Sequence, residues 1–510
     1  MPRYAAIDIG SNSIRMLAAS VTPGSPAKIL AAERQVTRLG ESVFRTGNVS
    51  PQAMELTCGV LAGMAARYKA LDVVGVRAVA TSSVRDARNQ AEFVERASTA
   101  IGTPVEVISG REEARLIHLG VVSRWPHPGK RVLIVDIGGG SMEAIAGEDG
   151  HMRDAISKPL GAVRLRELLL RNDPPSEREL RRLHDFVEER LASVVERFGR
   201  ARWDRVIATS ATAAAIVCAV ASIPRSRRDS ADRFRASTAQ IRKLYKKLSG
   251  LNLNARRKIT GIGPRRAEII LPGVCVLLRV LEDLKIPSVN YSAAGVRDGI
   301  IADLALRGVG RELAELSHDQ RVEVERMSVH YAIPLKHSRK VAAIARILFH
   351  SLQGLHQLPP AYGKLLEASA YLLDTGHYVS DASHHKHSYY LAANSDMPGF
   401  TNREREFIAN LCRYHRKAMP SAGHNNFRTL TSEEKRSLPL LIPLLRMAYA
   451  LDRGHEQRVK SIRCQLQDGQ VLIRIVSAAN IDLEQWAAEG AAEIFRQVYG
   501  RPVLIERAPV

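Results

Sequence analysis

YAAIDIGSNSIRMLAAS at 4–20 and VLIVDIGGGSMEAIAGE at 132–148 decide the fold of this chain. Each has an apolar, β-branched run, then Asp-Ile-Gly, then small polar residues, then a second run of strand character. A third extended run follows each and ends in Leu-Gly, at Leu39-Gly40 and at Leu160-Gly161. Asp8 and Asp136 stand 128 residues apart, a spacing too long for a solenoid and suited to a duplicated domain. Helical patterns follow both strand sets, at Pro51–Leu71 and Glu177–Phe198. Strands alternating with helices predict two α/β lobes with partly parallel sheets, facing each other across a cleft.

Working outward, the texture changes after about Arg307 to an almost wholly helical pattern rich in His, Leu and Arg. SRKVAAIARILFHSLQGL and YGKLLEASAYLLDTG carry apolar residues at helical spacing. From Ser461, SIRCQLQDGQVLIRIVS alternates around Asp468-Gly469, a hairpin signal. A helix over Leu483–Val498 and a closing VLIER complete a small β–β–α–β module. The expected domains are therefore 1–125 and 126–305 for the lobes, 306–460 for a helical domain and 461–510 for the module. The lobe boundary is placed where Trp-Pro-His-Pro-Gly, within 123–129, breaks a helix before the second repeat.

The chain's 510 residues exceed what one core can organise, in line with several domains. Lys plus Arg number 74 against 53 Asp plus Glu, a formal charge of +21 that draws polyanions. Five dispersed cysteines, at 58, 218, 275, 412 and 464, form no CxxC pair, which argues against a cysteine zinc site and suits a reducing cytoplasm. The strand beginning at Tyr4 leaves no room for a signal peptide, and the apolar stretch Ala213–Ile223 is too short to cross a bilayer. A cytoplasmic protein with no membrane partner is expected.

Phosphate binding needs close backbone approach, which glycine allows, with amide and hydroxyl donors aimed at oxygens. DIGSNS supplies Gly10, Ser11, Asn12 and Ser13; DIGGGS supplies Gly138, Gly139, Gly140 and Ser141. One such loop is commonplace, but two duplicated loops, each preceded by Asp at a strand end, point to phosphates. Magnesium asks for one or two carboxylates, and Asp8, Asp136 and Glu143 are the candidates. Glu143 alternates in phase with Ser141, so a strand turns both to one face. EVISGREEARLIHLGV runs from a strand through Ser109-Gly110 into a helix, which places Glu112 and Glu113 in its first turn. Acidic residues there commonly do no more than complement the helix dipole.

DIGSNS, ATSSVRDARN, SGREEARL, DIGGGSME, ATSAT and SAAGVRDGI, in this order, resemble the exopolyphosphatase / guanosine pentaphosphate phosphatase family. The resemblance covers 4–305 and implies the actin-like ATPase and sugar-kinase (ribonuclease H-like) fold, with two related lobes clamping phosphates. HKHSYYLAANSDMPGF and CRYHRK extend it into an all-α, HD-like domain. It implies Glu113 as the base that activates water, Glu143 as a second essential carboxylate, and Asp136 beside magnesium. Asp8, Ser11, Asn12 and Ser13 correspond to the first phosphate loop, Gly138 to Ser141 to the second, and Arg85 to a phosphate contact. ATSAT at 208–212 would hinge or line the cleft, and Gly295, Arg297, Asp298 and Gly299 would mark a nucleotide-side glycine motif. Leu373 stands where the His of an HD pair would precede Asp374. His337, His384, His385, His387 and His415 remain, and beside Lys386, Arg413, Arg416 and Lys417 they suit a polyanion better than a second metal.

The leading expectation is thus an exopolyphosphatase that releases orthophosphate from inorganic polyphosphate, with magnesium or another divalent cation, as a homodimer. Arg225–Arg228, Arg256–Lys258, Arg265–Arg266 and Arg413–Lys417 are candidates for a basic track along the polymer. The alternatives are a guanosine pentaphosphate (pppGpp) 5'-phosphohydrolase, a sugar-kinase-like enzyme, and a non-catalytic polyphosphate sensor. A nucleic-acid-binding module fits the charge but leaves the duplicated loops unexplained.

Overall fold

The first strand, β1 (Arg3–Ile9), is apolar on both faces because it runs through the middle of a sheet covered on both sides. In this computed structural model, which describes residues 1–22, 25–307, 314–467 and 469–508, β1 pairs antiparallel with β2 (Ile14–Ser20) and parallel with β4 (Gly75–Ala80). With β3 (Lys28–Gln35) and β5 (Val105–Val107) the sheet has the order β3-β2-β1-β4-β5.

The second half repeats the plan. β6 (Arg131–Ile137), β7 (Met142–Glu148) and β8 (His151–Lys158) form the same antiparallel meander. β9 (Arg205–Thr209) lies parallel to β6, and β10 (Arg235–Ser237) and β11 (Ser288–Tyr291) complete the order β10-β11-β9-β6-β7-β8. Read outward from β6, the positions 8-7-6-9-11 match 3-2-1-4-5, so the repeat visible in sequence is a repeat of topology. This is a mixed α/β architecture built twice on one plan. The third extended runs stop before Leu-Gly: Leu39 and Gly40 open the helix Leu39–Thr46, and Gly161 caps the helix Ala162–Leu169.

The lobes are not independent cores. Helix Gly110–Arg124 sends Leu116 to the first sheet, among Tyr4, Ala6 and Leu17, and Ala114, Ile117 and Val121 to the second, among Val132 and Ile145. Helix Val296–Arg307 returns Ile300 and Ile301 to the first sheet. The two helices meet backbone to backbone. A Cβ on Gly299 would lie 1.8 Å from the Leu116 carbonyl oxygen, and one on Gly120 would lie 2.3 Å from that of Gly295. Glycine is required at both by the approach itself, since neither has a positive φ.

The chain divides into Met1–Val309 and Gly310–Val510. The second unit is helical up to β12 (Ser461–Gln467), which pairs antiparallel with β13 (Gln470–Val476); β14 (Val503–Ala508) joins β13 in parallel. Helix Asp482–Tyr499 crosses between them. Of the hairpin signal at 468–469, Asp468 lies outside the described residues and Gly469 adopts φ +78°. Val471, Ile473 and Phe495 belong to the same apolar cluster as Phe349, Leu366 and Leu441, so module and helices share one core. All five cysteines are free. Among the described residues no helix is long and apolar enough to cross a membrane.

Candidate active site

The site grows from the two equivalent hairpins. In each, a glycine N–H donates to a serine carbonyl three residues on: Gly10 to Ser13 at 3.2 Å, and Gly138 to Ser141 at 3.0 Å. The strands leaving these loops oppose Asp8 with Arg15 and Asp136 with Glu143. The duplicated position thus carries a cation in one lobe and a carboxylate in the other. The loops then converge. A Cβ on Gly140 would stand 2.6 Å from both Ser11 Oγ and Ser82 Oγ, so the second loop can press against the first only without a side chain. Arg164 secures the contact, donating to the Gly140 carbonyl at 2.7 Å and to Ser82 Oγ at 2.9 Å while pairing with Asp86.

Glu112 and Glu113, adjacent in sequence, separate in role. Ser109 caps their helix, its hydroxyl accepting from the Glu112 N–H at 3.1 Å. Glu112 points into a buried network, meeting Arg77 at 3.1 Å and Arg115 at 2.7 Å; both arginines also bind Asp303, at 3.0 and 2.8 Å. Those guanidiniums overcome burial and hold Glu112 and Asp303 below the usual carboxylate range. Glu113 points the other way, into a cavity, and its Oε2 has no hydrogen-bond partner among the described residues. Burial, then the charges of Glu143 and Asp8, push its pKa well up against the opposing pull of Arg85.

That cavity, of about 310 Å³, is lined by Asp8, Ser11, Asn12, Ser13, Glu113, Asp136 and the run Gly138 to Ser141. Ten of the sequence-derived candidates therefore meet at one place. Burial raises Asp8, against Arg15 and Arg297; burial and Glu113 raise Asp136 to about 7. Glu143 lies just beneath, fully buried, with Oε1 accepting from Ser157 Oγ at 2.8 Å and Oε2 unpartnered. Burial, followed by the Asp136 charge, raises it to about 7. Thr209 to Thr212 line the wall, as do Gly295, Arg297 and Asp298, whereas Gly299 serves the helix contact described above.

Arg85 is placed differently from the expected phosphate contact. It does not line the cavity; its guanidinium donates to the Ile108 carbonyl at 2.6 Å and stands 3.5 Å from Glu113 Oε2. Of the suggested basic track, Arg228 and Arg266 line the cavity. Arg256 does not belong to it, being buried and paired with Asp173, and Arg257 pairs with Glu268 at 3.1 Å. Arg15 and Arg34 complete the lining cations, and sequence reading missed both, along with Arg164. The repeat itself carried a signal for Arg15, which sits seven residues after Asp8 as Glu143 sits after Asp136. Burial and neighbouring guanidiniums depress Arg15 to about 10 and lower Arg34 and Arg266 as well. This concentration of guanidiniums, interleaved with the carboxylates Asp8, Glu113 and Asp136, suits the cavity to an anion such as a phosphate.

The buried oxygens left without donors on Glu113 and Glu143, with Asp8 and Asp136 beside them, fit a divalent cation. Burial raises the pKa of all four carboxyls, so each favours a proton or a positive partner, although ligand atoms of no three of them fall within 4.8 Å of one another among the described residues.

Comparison with known proteins agrees with this geometry. Residues 17–308 match the Ppx/GppA phosphatase family and residues 320–485 match Ppx/GppA phosphatase, domain III. Relatives include the guanosine-5'-triphosphate,3'-diphosphate pyrophosphatases of Vibrio parahaemolyticus, 27% identical over 99% of this chain and 98% of the relative, and of Vibrio vulnificus, 26% identical over the same shares. Among solved structures, the Aquifex aeolicus member of the family is 30% identical with a TM-score of 0.53, covering 60% of this chain and 98% of its own. An exopolyphosphatase from Cytophaga hutchinsonii is 25% identical with a TM-score of 0.55, covering 59% and 96%. Paired hairpin loops, a carboxylate cluster and two matching family segments lead to one conclusion: the chain belongs to the Ppx/GppA phosphatase family.

Proposed function

We propose that this chain hydrolyses the terminal phosphoanhydride bond of guanosine pentaphosphate (pppGpp), releasing orthophosphate. The observation that carries the chemistry is Glu113, a buried carboxyl that lines the cavity formed by two phosphate-type loops. A carboxyl whose proton affinity is raised is a stronger base than an ordinary one, and as carboxylate Glu113 would take the proton of the attacking water. Arg85, 3.5 Å away, would hold it in position and favour its ionised form. Amides of the two loops and the guanidiniums of Arg15, Arg34, Arg228, Arg266 and Arg297 would receive the charge spread over the phosphoryl oxygens. Asp8, Asp136 and Glu143 would hold magnesium or another divalent cation, which would supply charge neutralisation at the phosphates.

The nucleotide is placed ahead of inorganic polyphosphate, the substrate the sequence alone put first. The relatives that match along nearly the whole chain are pyrophosphatases of the guanosine triphosphate diphosphate nucleotide. One observation keeps polyphosphate as the second reading. The cavity's lone aromatic lining residue among the described ones, Tyr291, is only 3% exposed and offers little face to a purine, so a base would have to stack on guanidinium planes. Phosphate release from both substrates, at equal salt and magnesium, tests the order. The proposal expects the larger kcat/KM for pppGpp; a larger value for long-chain polyphosphate overturns it in favour of the second reading, and release from neither leaves a sensor.

A further inference from the structure

A second pair of residues recurs at the spacing of the phosphate loops. ATSSV at 80–84 and ATSAT at 208–212 each straddle the end of the strand that lies parallel to the Asp strand, β4 in the first lobe and β9 in the second. Ser82 and Ser210 stand 128 residues apart, as Asp8 and Asp136 do. Each is the first residue of a helix, after a Thr in extended conformation. Both line the cavity with Glu113 and the two loops. The strand registers differ, Asp8 opposing Val79 and Asp136 opposing Thr209, so Ser82 reaches two residues further than its counterpart. That reach brings it to the other lobe's loop, where a Cβ on Gly140 would lie 2.6 Å from its Oγ.

A serine hydroxyl carries one proton and two lone pairs, so the groups that donate to it decide where its proton can go. Ser82 is buried and accepts from the Arg164 guanidinium at 2.9 Å. Arg164 does not line the cavity, and the Gly140 carbonyl and Asp86 hold it in place. Ser210 accepts twice, from the N–H groups of Thr212 at 3.2 Å and Ala213 at 3.3 Å. With both lone pairs engaged, its hydroxyl can serve only as a donor. Among the described residues neither serine hydroxyl donates to a protein acceptor.

Two further observations tie these hydroxyls to the cavity. Ser210 holds φ +92°, a conformation that glycine adopts freely and serine seldom does. Backbone strain of this kind persists only where the surroundings enforce it, and here it sits in the cavity wall. Ser82 is polarised by the guanidinium that donates to it, which makes its own proton a better donor. Arg164 thereby acts on the cavity through Ser82 without entering it.

We propose that Ser82 and Ser210 are a pair of phosphate-binding residues, one from each lobe, whose hydroxyls donate to oxygens of the phosphate chain in the cavity, with Arg164 positioning the first. A phosphate chain offers acceptors, which matches hydroxyls whose protons have no other destination. The inference rests on the phosphatase reading of this cavity but not on the choice of substrate, because pppGpp and polyphosphate both present anhydride-linked phosphates. A phosphate held by both serines bridges the two sheets.

The test is binding of an imido-bridged inorganic triphosphate, which resists hydrolysis, measured by titration calorimetry with magnesium at several salt concentrations. Ser82→Ala and Ser210→Gly should each weaken binding by at least about tenfold, the loss expected for a hydrogen bond to a charged group. Ser82→Ala leaves Arg164 its other two partners. Ser210→Gly suits the positive φ, and glycine is tolerated at a helix start, so the local backbone is kept. The slope of affinity against salt should stay the same in both variants, since neither removes a charge. Undiminished affinity in either variant overturns the proposal, and so does a flattened slope, which would assign the loss to displaced arginines. Phosphate release from pppGpp and polyphosphate, followed in parallel, separates this inference from the reading it rests on. A chain that loses triphosphate affinity in both variants yet hydrolyses neither substrate keeps the serine pair and refutes the phosphatase.

Discussion

Replacing Glu143 with Gln should make the protein's stability less sensitive to rising pH, even as it removes activity. Glu143 is fully buried, and burial with the Asp136 charge lifts its pKa from 4.5 to about 7. Between those values the folded chain keeps a proton that the unfolded chain releases. Stability therefore falls as pH rises through that window, and the penalty is complete above about pH 7. Integrating the linkage gives a change of about 2.5 kcal/mol between about pH 5 and pH 8, an order-of-magnitude figure. The Gln oxygen can keep the Ser157 hydrogen bond, while its buried NH₂ group gains no partner and adds a pH-independent cost of about 1–3 kcal/mol. The offset between the two proteins is thus uninformative, and its pH dependence is the measurement. Urea unfolding followed through Trp125 and Trp203, both in the first unit, should be run with chelator present so that no cation neutralises the cluster. Relative to the unsubstituted chain, Glu143→Gln should gain stability steadily from pH 5 to pH 8. A difference that stays flat across this range would refute the claim that Glu143 is forced to choose between its proton and its fold.

Glu113→Gln should lower turnover by at least about a hundredfold while leaving substrate affinity within a few-fold, as read by steady-state kinetics and equilibrium binding; ordinary turnover would remove Glu113 from its role. Arg15→Ala and Arg34→Ala should each raise KM and flatten its dependence on salt, measured from low to physiological ionic strength. Asp303→Asn should cost about 3–5 kcal/mol in the same urea assay, because Arg77 and Arg115 lose a buried counter-charge. Asp303 and Glu112 are depressed below 3.8 and 4.5, so their stabilisation is full above those values and is lost as pH falls. The acid-unfolding midpoint of Asp303→Asn should accordingly move to higher pH than that of the unsubstituted chain.

The lobes and loops were legible because their signals are local. In each copy the apolar strand, the Asp-Ile-Gly and the glycine turn fall within about twenty residues, and their repetition 128 residues on places the loop residues of the cavity. The choice between Glu112 and Glu113 was not legible from residue physics. It is made by Arg115 together with Arg77, and both guanidiniums are held by Asp303, which the fold brings to Arg77 from 226 residues away. Arg34 and Arg164 escaped for the same reason, since each acts on partners in another part of the first unit. Arg85 was found but read as a phosphate contact, and only the fold shows its proximity to Glu113.

The unequal outcome at the duplicated position explains how one fold, used twice, makes an asymmetric site. Both hairpins offer a strand residue opposite the Asp, turned toward the same cavity region. With a carboxylate at both, Asp8, Asp136, Glu113 and two further acids would crowd one buried volume, and their mutual repulsion would push most of them to the neutral form. With an arginine at both, two guanidiniums would stand against Asp8, Asp136 and Glu113, and a divalent cation would meet far less negative charge. Arg15 in the first lobe opposes the rise of both Asp8 and Asp136, while Glu143 in the second adds to that of Glu113. The first hairpin thereby supplies grip on the phosphate and the second supplies carboxylate chemistry. Exchanging the two, as Arg15→Glu with Glu143→Arg, would keep the net charge yet bury a guanidinium at the position now taken by Glu143, where Ser157 Oγ now donates to the Glu143 carboxylate. Such a protein should lose phosphate release entirely, and retained activity would show that the division between the hairpins is accidental.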